Sequence, residues 1–89
     1  MIAITLYSRP GCHLCDEMKA VVERVARSLS PAVSVTVDVV DISADPQLEA
    51  RYGVDIPVLL IAGTKAAKHR VSEDELRRII RGRLGRWGG

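Results

Sequence analysis

Apolar and polar residues follow one another along this chain in patterns that predict alternating strands and helices. The first apolar run, residues 2–7, is rich in β-branched and aromatic side chains and is closed by the turn-forming segment 8–11, which predicts a buried strand. Apolar residues then recur at three- and four-residue steps with charged residues between them, which predicts an amphipathic helix ending near residue 30. The apolar positions of this helix are Met18, Val21, Val22, Val25, Ala26 and Leu29. The chain therefore opens with a strand and a helix.

The middle of the chain predicts a second strand and a short helix. Residues 33–40 alternate in polarity and then become fully apolar, which is typical of a strand ending at Asp41. Asp45 suits an N-cap, Pro46 suits the first helical position, and Gly53 suits the C-terminal stop of a short helix. Strand, helix, strand and helix are the order of a parallel-sheet unit.

The last third of the chain predicts a hairpin and a closing helix. Residues 58–62 are the most apolar segment and predict a central strand, and a turn at 63–64 leads into the more polar segment 65–71, which predicts an outer edge strand. Ser72 and the acid three residues later, Glu75, complete a capping box for a third helix. Its apolar face is formed by Leu76, Ile79, Ile80 and Leu84.

Length and composition predict one small soluble domain. The 89 residues suffice for one sheet with helices but not for a second core, and 47% hydrophobic with 27% charged residues is ordinary for a globular protein. Glycines from residue 82 onward predict a fraying end, so we expect a domain over residues 1–84 and a flexible tail over residues 85–89. No segment approaches the roughly 18 apolar residues of a membrane span, and the N-terminus lacks a secretory pattern. We therefore expect a cytoplasmic protein without a membrane partner.

The net charge of +2 hides an uneven distribution. Residues 1–64 carry five basic and eight acidic side chains, whereas residues 65–89 carry eight basic and three acidic ones. Arginines in the last segment suit the solvent face and the final turn of a terminal helix, where cations interact favourably with the helix dipole. We prefer this interpretation to a nucleic-acid surface, and we expect no nucleic-acid partner.

Two cysteines, Cys12 and Cys15, stand where the first strand gives way to the first helix. At this spacing they can form and break a disulfide with little backbone movement, and two are too few for a disulfide-stapled secreted scaffold. Free N–H groups and the positive end of the helix dipole stabilise a thiolate there, and thiols in such motifs titrate at roughly 3.5–7.5 instead of ~8.5. We therefore predict that Cys12 is the nucleophile and that Cys15, on the inner side of the first turn, is the resolving thiol.

His13 lies between the two cysteines and is a candidate for tuning their chemistry. A protonated imidazole near Cys12 would favour the thiolate and make the pair more oxidising. The alternative is that His13 points into solvent from the first turn.

The order β-α-β-α-β-β-α, the C-x-x-C at the first strand-to-helix junction and a proline opening the third strand resemble the thioredoxin fold, and in particular a small glutaredoxin-like protein. The resemblance implies an α/β fold with a four-stranded mixed sheet flanked by helices. It also implies that Pro57 forms a cis bond facing the dithiol and leaves the backbone of Ile56 free to pair with an extended substrate segment. Arg9, three residues before Cys12, would hold a glutathione carboxylate.

The resemblance implies a thiol-disulfide oxidoreductase, acting as a monomer on protein or small-molecule disulfides. Glutathione or a thiol reductase would supply electrons, with no bound cofactor and no metal. The sequence departs from the family where His13 and Leu14 replace a proline and a tyrosine, and where residues 66–70 lack the glycine pair and acidic turn that bind glutathione. The resemblance therefore supports the dithiol chemistry more than it supports glutathione binding.

Two other functions fit the same residues. A metal or iron–sulfur protein could use Cys12, Cys15 and His13 as ligands, but a dimer or an external thiol would have to complete the site. A non-catalytic thioredoxin-like module could instead use the pair to sense redox state.

Overall fold

The regular elements follow one another in the predicted order. The structure, a computed structural model, describes the backbone of residues 1–88 and the side chains of residues 1–84. The four strands and three helices are β1 (Ile2–Ser8), α1 (His13–Leu29), β2 (Val35–Asp41), α2 (Pro46–Tyr52), β3 (Val58–Ile61), β4 (Thr64–Lys68) and α3 (Glu73–Gly88). A short 3₁₀ turn, Ile42–Ala44, connects β2 to α2.

Capping side chains determine where the second and third helices begin. The Asp45 carboxylate accepts a hydrogen bond from the Gln47 amide at 2.9 Å, and Pro46 occupies the first turn of α2. At α3, the Glu75 amide donates to the Ser72 hydroxyl at 3.1 Å, and the Ser72 amide donates to the Glu75 carboxylate at 3.3 Å. Both predicted caps are therefore present, and the second is a reciprocal capping box.

The sheet is mixed, with the strand order β2-β1-β3-β4. β1 and β2 are parallel, whereas β3 is antiparallel to both β1 and β4. β3 is thus a central strand and β4 an edge strand, as predicted. At the carboxyl end of β1, Ser8 lies opposite Asp41 of β2, and Tyr7 lies opposite Val58 of β3. This register brings the start of β3 and the end of β2 to the two sides of the segment that leads into α1.

Helices cover both faces of the sheet because neighbouring strand residues point to opposite sides. Leu6 faces α1 and α3, where the main core contains Ile2, Ile4, Leu6, Met18, Val22, Val25, Leu59, Ile61, Val71, Leu76 and Ile80. Tyr7 faces the other way and stacks on Tyr52 of α2 with ring centroids 4.7 Å apart. A smaller core of Ile42, Tyr52 and Val58 lies on that face.

Several element bounds differ from the predicted ones. β2 begins at Val35, and β4 spans Thr64–Lys68 instead of residues 65–71. Ala62, predicted as strand, belongs to the β3–β4 turn, where it and Gly63 both have positive φ. The 3₁₀ turn was not predicted; it forms because the Asp41 carboxylate accepts hydrogen bonds from the amide and hydroxyl of Ser43.

The C-terminal end is helical further than the sequence predicts. The backbone continues as α3 to Gly88, whereas the tail was expected to begin at residue 85. The side chains of residues 85–89 and the backbone of Gly89 lie outside the described residues, so the flexible tail stays a prediction. Over residues 1–88, none of the helices combines the length and the apolar character that crossing a membrane requires.

Candidate active site

A disulfide joins Cys12 to Cys15 at the beginning of α1, with the two Cα atoms 5.2 Å apart. Cys12 is the N-cap residue with an extended backbone, and Cys15 lies in the first turn. The loop before the helix is closed by the Cys12 amide, which donates to the Arg9 carbonyl oxygen at 3.2 Å. The structure therefore places the pair where a strand end meets a helix start.

The two sulfur atoms differ in their surroundings. Cys15 is 3% exposed, whereas Cys12 is half-buried. The Cys15 amide donates a hydrogen bond to the Cys12 Sγ atom at 3.1 Å. Negative charge on Cys12 would therefore meet an N–H donor and the positive end of the α1 dipole. Cys12 is the accessible sulfur of the pair and Cys15 is the shielded one.

Pro57 follows a cis peptide bond and is buried beside the end of β1. Its carbonyl oxygen accepts a hydrogen bond from the His69 amide at 2.8 Å, which ties the end of β4 to this segment. The amide of Ile56, expected to be free, instead donates to the Tyr52 carbonyl oxygen at 3.1 Å. This correction has a local cause, because the last turn of a helix leaves carbonyl groups without helical partners. Among the backbone groups of residues 1–88 and the side chains of residues 1–84, none donates to the Ile56 carbonyl oxygen, so the acceptor of Ile56, and not its donor, is open to a substrate.

Arg9 is bound to α2 in this structure. Its guanidinium forms an ion pair with Glu49 and lies 3.5 Å from the Gly53 carbonyl oxygen. The other carboxylate oxygen of Glu49, Oε2, is buried and accepts no hydrogen bond from the described residues. A substrate carboxylate would have to share the Arg9 charge with Glu49, and the predicted contact with glutathione stays a prediction.

The two residues between the cysteines point to different places. His13 is exposed at the first position of α1, and its tuning role stays a prediction. Leu14 is half-buried and borders a groove of about 160 Å³ that continues to His69 and Arg70. The groove lies beside Pro57, since the His69 amide is bonded to the Pro57 carbonyl oxygen.

A second cleft, of about 230 Å³, opens between the start of α1 and the end of β2. Cys15 belongs to its lining, together with four charged residues, Arg9, Asp16, Lys19 and Asp41. The sequence patterns do not point to Lys19 or Asp41 as site residues. The four-residue spacing of Cys15 and Lys19 on one helix could have indicated Lys19, but Asp41 reaches the cleft only through the pairing of β1 with β2.

Asp41 is held ionised in this cleft. Hydrogen bonds from the Ser43 hydroxyl at 2.6 Å and the Ser43 amide at 2.9 Å lower the pKa of Asp41. Loss of hydration partly opposes them, and the nearby Arg9 charge adds a smaller lowering. At neutral pH Asp41 is therefore a carboxylate and a weak proton acceptor. Over the described residues, no group of three or more His, Cys, Asp or Glu side chains is arranged to hold a metal ion.

Other proteins have sequences similar to this chain. The "Glutaredoxin-like protein YDR286C homolog" of Dictyostelium discoideum is 31% identical over 77 residues, which cover 84% of this chain and 71% of that protein. A thioredoxin of Methanocaldococcus jannaschii is 33% identical over 63 residues, covering 70% of this chain and 72% of that protein.

Solved structures share the architecture. Protein XcR50 from X. campestris superposes with a TM-score of 0.73 at 29% identity, covering 89% of this chain and 96% of that one. Protein Ne2328 from Nitrosomonas europaea superposes with a TM-score of 0.71 at 22% identity, covering 88% of this chain and 89% of that one, which is a likeness of fold. The family model described as Glutaredoxin-like domain (DUF836) matches residues 3–81. The chain has the thioredoxin-like fold and belongs to this glutaredoxin-like family.

Proposed function

We propose that this protein is a thiol-disulfide oxidoreductase in which Cys12 attacks the substrate and Cys15 resolves the product. The observation that carries the proposal is the unequal access of the two sulfurs, with a half-buried Cys12 at the helix cap and a Cys15 that is 3% exposed behind it. A sulfur that must meet a substrate needs access, whereas a sulfur that must meet only its partner does not. Membership of a glutaredoxin-like family supports redox chemistry of this kind.

The reaction follows thiol–disulfide exchange. The Cys12 thiolate attacks one sulfur of a substrate disulfide, forms a mixed disulfide and expels the other substrate sulfur as a thiolate, which takes up a proton. Cys15 then loses its proton and attacks the Cys12 sulfur, which restores the Cys12–Cys15 disulfide and releases the second substrate thiol. Two electrons pass from the protein to the substrate. A thiol donor, glutathione or a thiol reductase, returns them.

Substrate docking would use the segment before β3. The carbonyl oxygen of Ile56 offers one hydrogen-bond acceptor to an extended substrate segment beside Pro57, which supports a protein or peptide disulfide as substrate. Arg9 holds Glu49 through one guanidinium nitrogen, so a substrate carboxylate would share this cation with Glu49. We further infer that the protein works as a cytoplasmic monomer without a bound cofactor.

Trapping of the mixed disulfide tests the proposal. Reduced Cys15→Ser protein is incubated with a small disulfide, and intact mass is measured after acid quenching. We expect one adduct on Cys12, because the resolving sulfur is missing, and no adduct on the matched Cys12→Ser variant, because Cys15 is shielded. A Cys15→Ser protein that forms no adduct, or equal adducts on both variants, would overturn the assignment.

A further inference from the structure

The two cysteines of the site border different spaces. Cys12 lies at the outer surface of the helix cap, whereas Cys15 lines the cleft of about 230 Å³ between α1 and β2. A space of this size exceeds the ~30 Å³ share of one water molecule, and its charged lining offers hydrogen-bond partners to water. The cleft therefore gives the shielded thiol a polar route to solvent.

Lys19 stands one helical turn after Cys15 and lines the same cleft. Residues four apart share one face of a helix, so the long Lys19 side chain is within reach of the turn that holds Cys15. Its ion-pair contact with Glu23 is 4.0 Å long, and both side chains are about half exposed, at 51% and 49%. Such a contact leaves the ammonium free to turn towards the cleft.

The other charged groups that line this cleft are bonded to other residues or carry a negative charge. Arg9, from the segment before α1, is paired with Glu49, and Asp41, at the end of β2, is bonded to Ser43. Asp16 also lines the cleft, but as an anion it would not stabilise a thiolate. Lys19 is therefore the cation best placed to act on the Cys15 sulfur.

We propose that Lys19 is a positioning residue for the resolving step, in which its ammonium stabilises the Cys15 thiolate and the cleft carries the released proton to solvent. This rests on the proposed function, since Cys15 must attack the mixed disulfide. The S–H bond of Cys15 breaks, its electron pair forms the bond to the Cys12 sulfur, and the bond from that sulfur to the substrate breaks. Burial disfavours the charged form of a thiol, and a nearby cation offsets this cost.

Ionisation of Cys15 tests the role of Lys19 without any need for turnover. The chain has two cysteines, so Cys12→Ser leaves Cys15 alone while serine keeps a helix cap. The thiolate absorbance of this protein is followed against pH, alone and with Lys19→Met, Lys19→Arg or the remote control Lys65→Met. We expect Lys19→Met to raise the ionisation midpoint by about 0.5–1 pH unit, while Lys19→Arg and Lys65→Met leave it in place. An unshifted midpoint in Lys19→Met, or an equal shift in Lys65→Met, would overturn the proposal.

The resolving rate supplies a second readout in the protein with both cysteines. At neutral pH, Lys19→Met should release the second substrate thiol about three- to tenfold more slowly. The deficit should vanish at high pH, where Cys15 is ionised in both proteins, and should shrink at high salt. A deficit that is constant over pH would show a structural defect and overturn the proposal. Failure of Cys15→Ser to trap a substrate overturns the proposed function, whereas an unshifted midpoint overturns only the role of Lys19.

Discussion

Cys12 and Cys15 are chemically identical residues one helical turn apart, yet they occupy different surroundings. Cys12 caps α1 at the surface, and its sulfur accepts a hydrogen bond from the helix. Cys15 lies on the apolar face of the first turn and is 3% exposed. The helix start separates the two thiols, and packing of the helix against the sheet then shields Cys15 and leaves Cys12 accessible.

A smaller side chain in the core beside Cys15 should reduce the difference in accessibility between the two cysteines most strongly. Leu6 is fully buried and lines the cleft with Cys15, so Leu6→Ala should lower the free energy of unfolding by about 2–5 kcal/mol and increase alkylation of reduced Cys15. Urea unfolding and alkylation rates measure both effects. Leu60→Ala, half-buried on the other face of the sheet, is the control and should leave Cys15 unchanged. If Leu6→Ala left Cys15 as unreactive as before, this packing would not be what shields it.

In the reduced wild-type protein, the different accessibility of Cys12 and Cys15 should appear directly as different alkylation rates. We expect iodoacetamide to modify Cys12 roughly a hundredfold faster than Cys15, because an accessible thiol at a helix start reacts as a thiolate while a buried one must wait for local opening. Mass spectrometry of peptides from samples quenched at intervals gives both rates. Similar rates at the two positions would contradict the assignment of nucleophile and resolving thiol.

The capping role of Cys12 should be visible as a smaller change in stability. Cys12→Ser and Cys12→Ala both remove the disulfide, but only serine restores a side-chain acceptor for the Cys15 amide. We expect the alanine variant to be less stable than the serine variant by about 1 kcal/mol in urea unfolding. Equal stabilities would mean that the cap contributes nothing at this helix start.

The smallest expected effect concerns Asp41, which lines the cleft with Cys15. Its ionisation should make the free energy of unfolding depend on pH in acid. Because the Ser43 hydroxyl lowers the pKa of Asp41 in the folded protein, the stabilisation is present above the unfolded value and is lost as the pH falls through the lowered folded value. Ser43→Ala should raise that pKa and weaken the loss of stability in acid. Carboxylate NMR titration and urea unfolding against pH check this. Asp38→Asn, an exposed change on the same strand, should leave the Asp41 titration in place.

The fold was largely predictable because its signals are local. Each predicted strand and helix is present, and the caps at Asp45 and Ser72 act as the spacing indicates. The errors lie at boundaries, such as the turn with positive φ at Ala62 and the 3₁₀ turn after Asp41, where Ser43 binds the Asp41 carboxylate.

The candidate site was predictable only in part. The placement of Cys12 and Cys15 at a strand-to-helix junction follows from residues within a few positions of each other. The ion pair of Arg9 with Glu49 and the hydrogen bond from the Ile56 amide to Tyr52 were not foreseen. The first joins residues from distant parts of the chain, and the second depends on how α2 ends.

The sequence by itself determined the order of elements and the position of the dithiol, because hydrophobic periodicity, caps and spacing act between neighbours in the chain. The tertiary structure alone decided that β2 lies beside β1, and this pairing brings Asp41 to the cleft that Cys15 and Lys19 line. Packing against the sheet also decided how completely Cys15 is buried. Such contacts form when segments far apart in the chain bury apolar surface against each other, and the pattern of residues along the chain does not show which segments will do so.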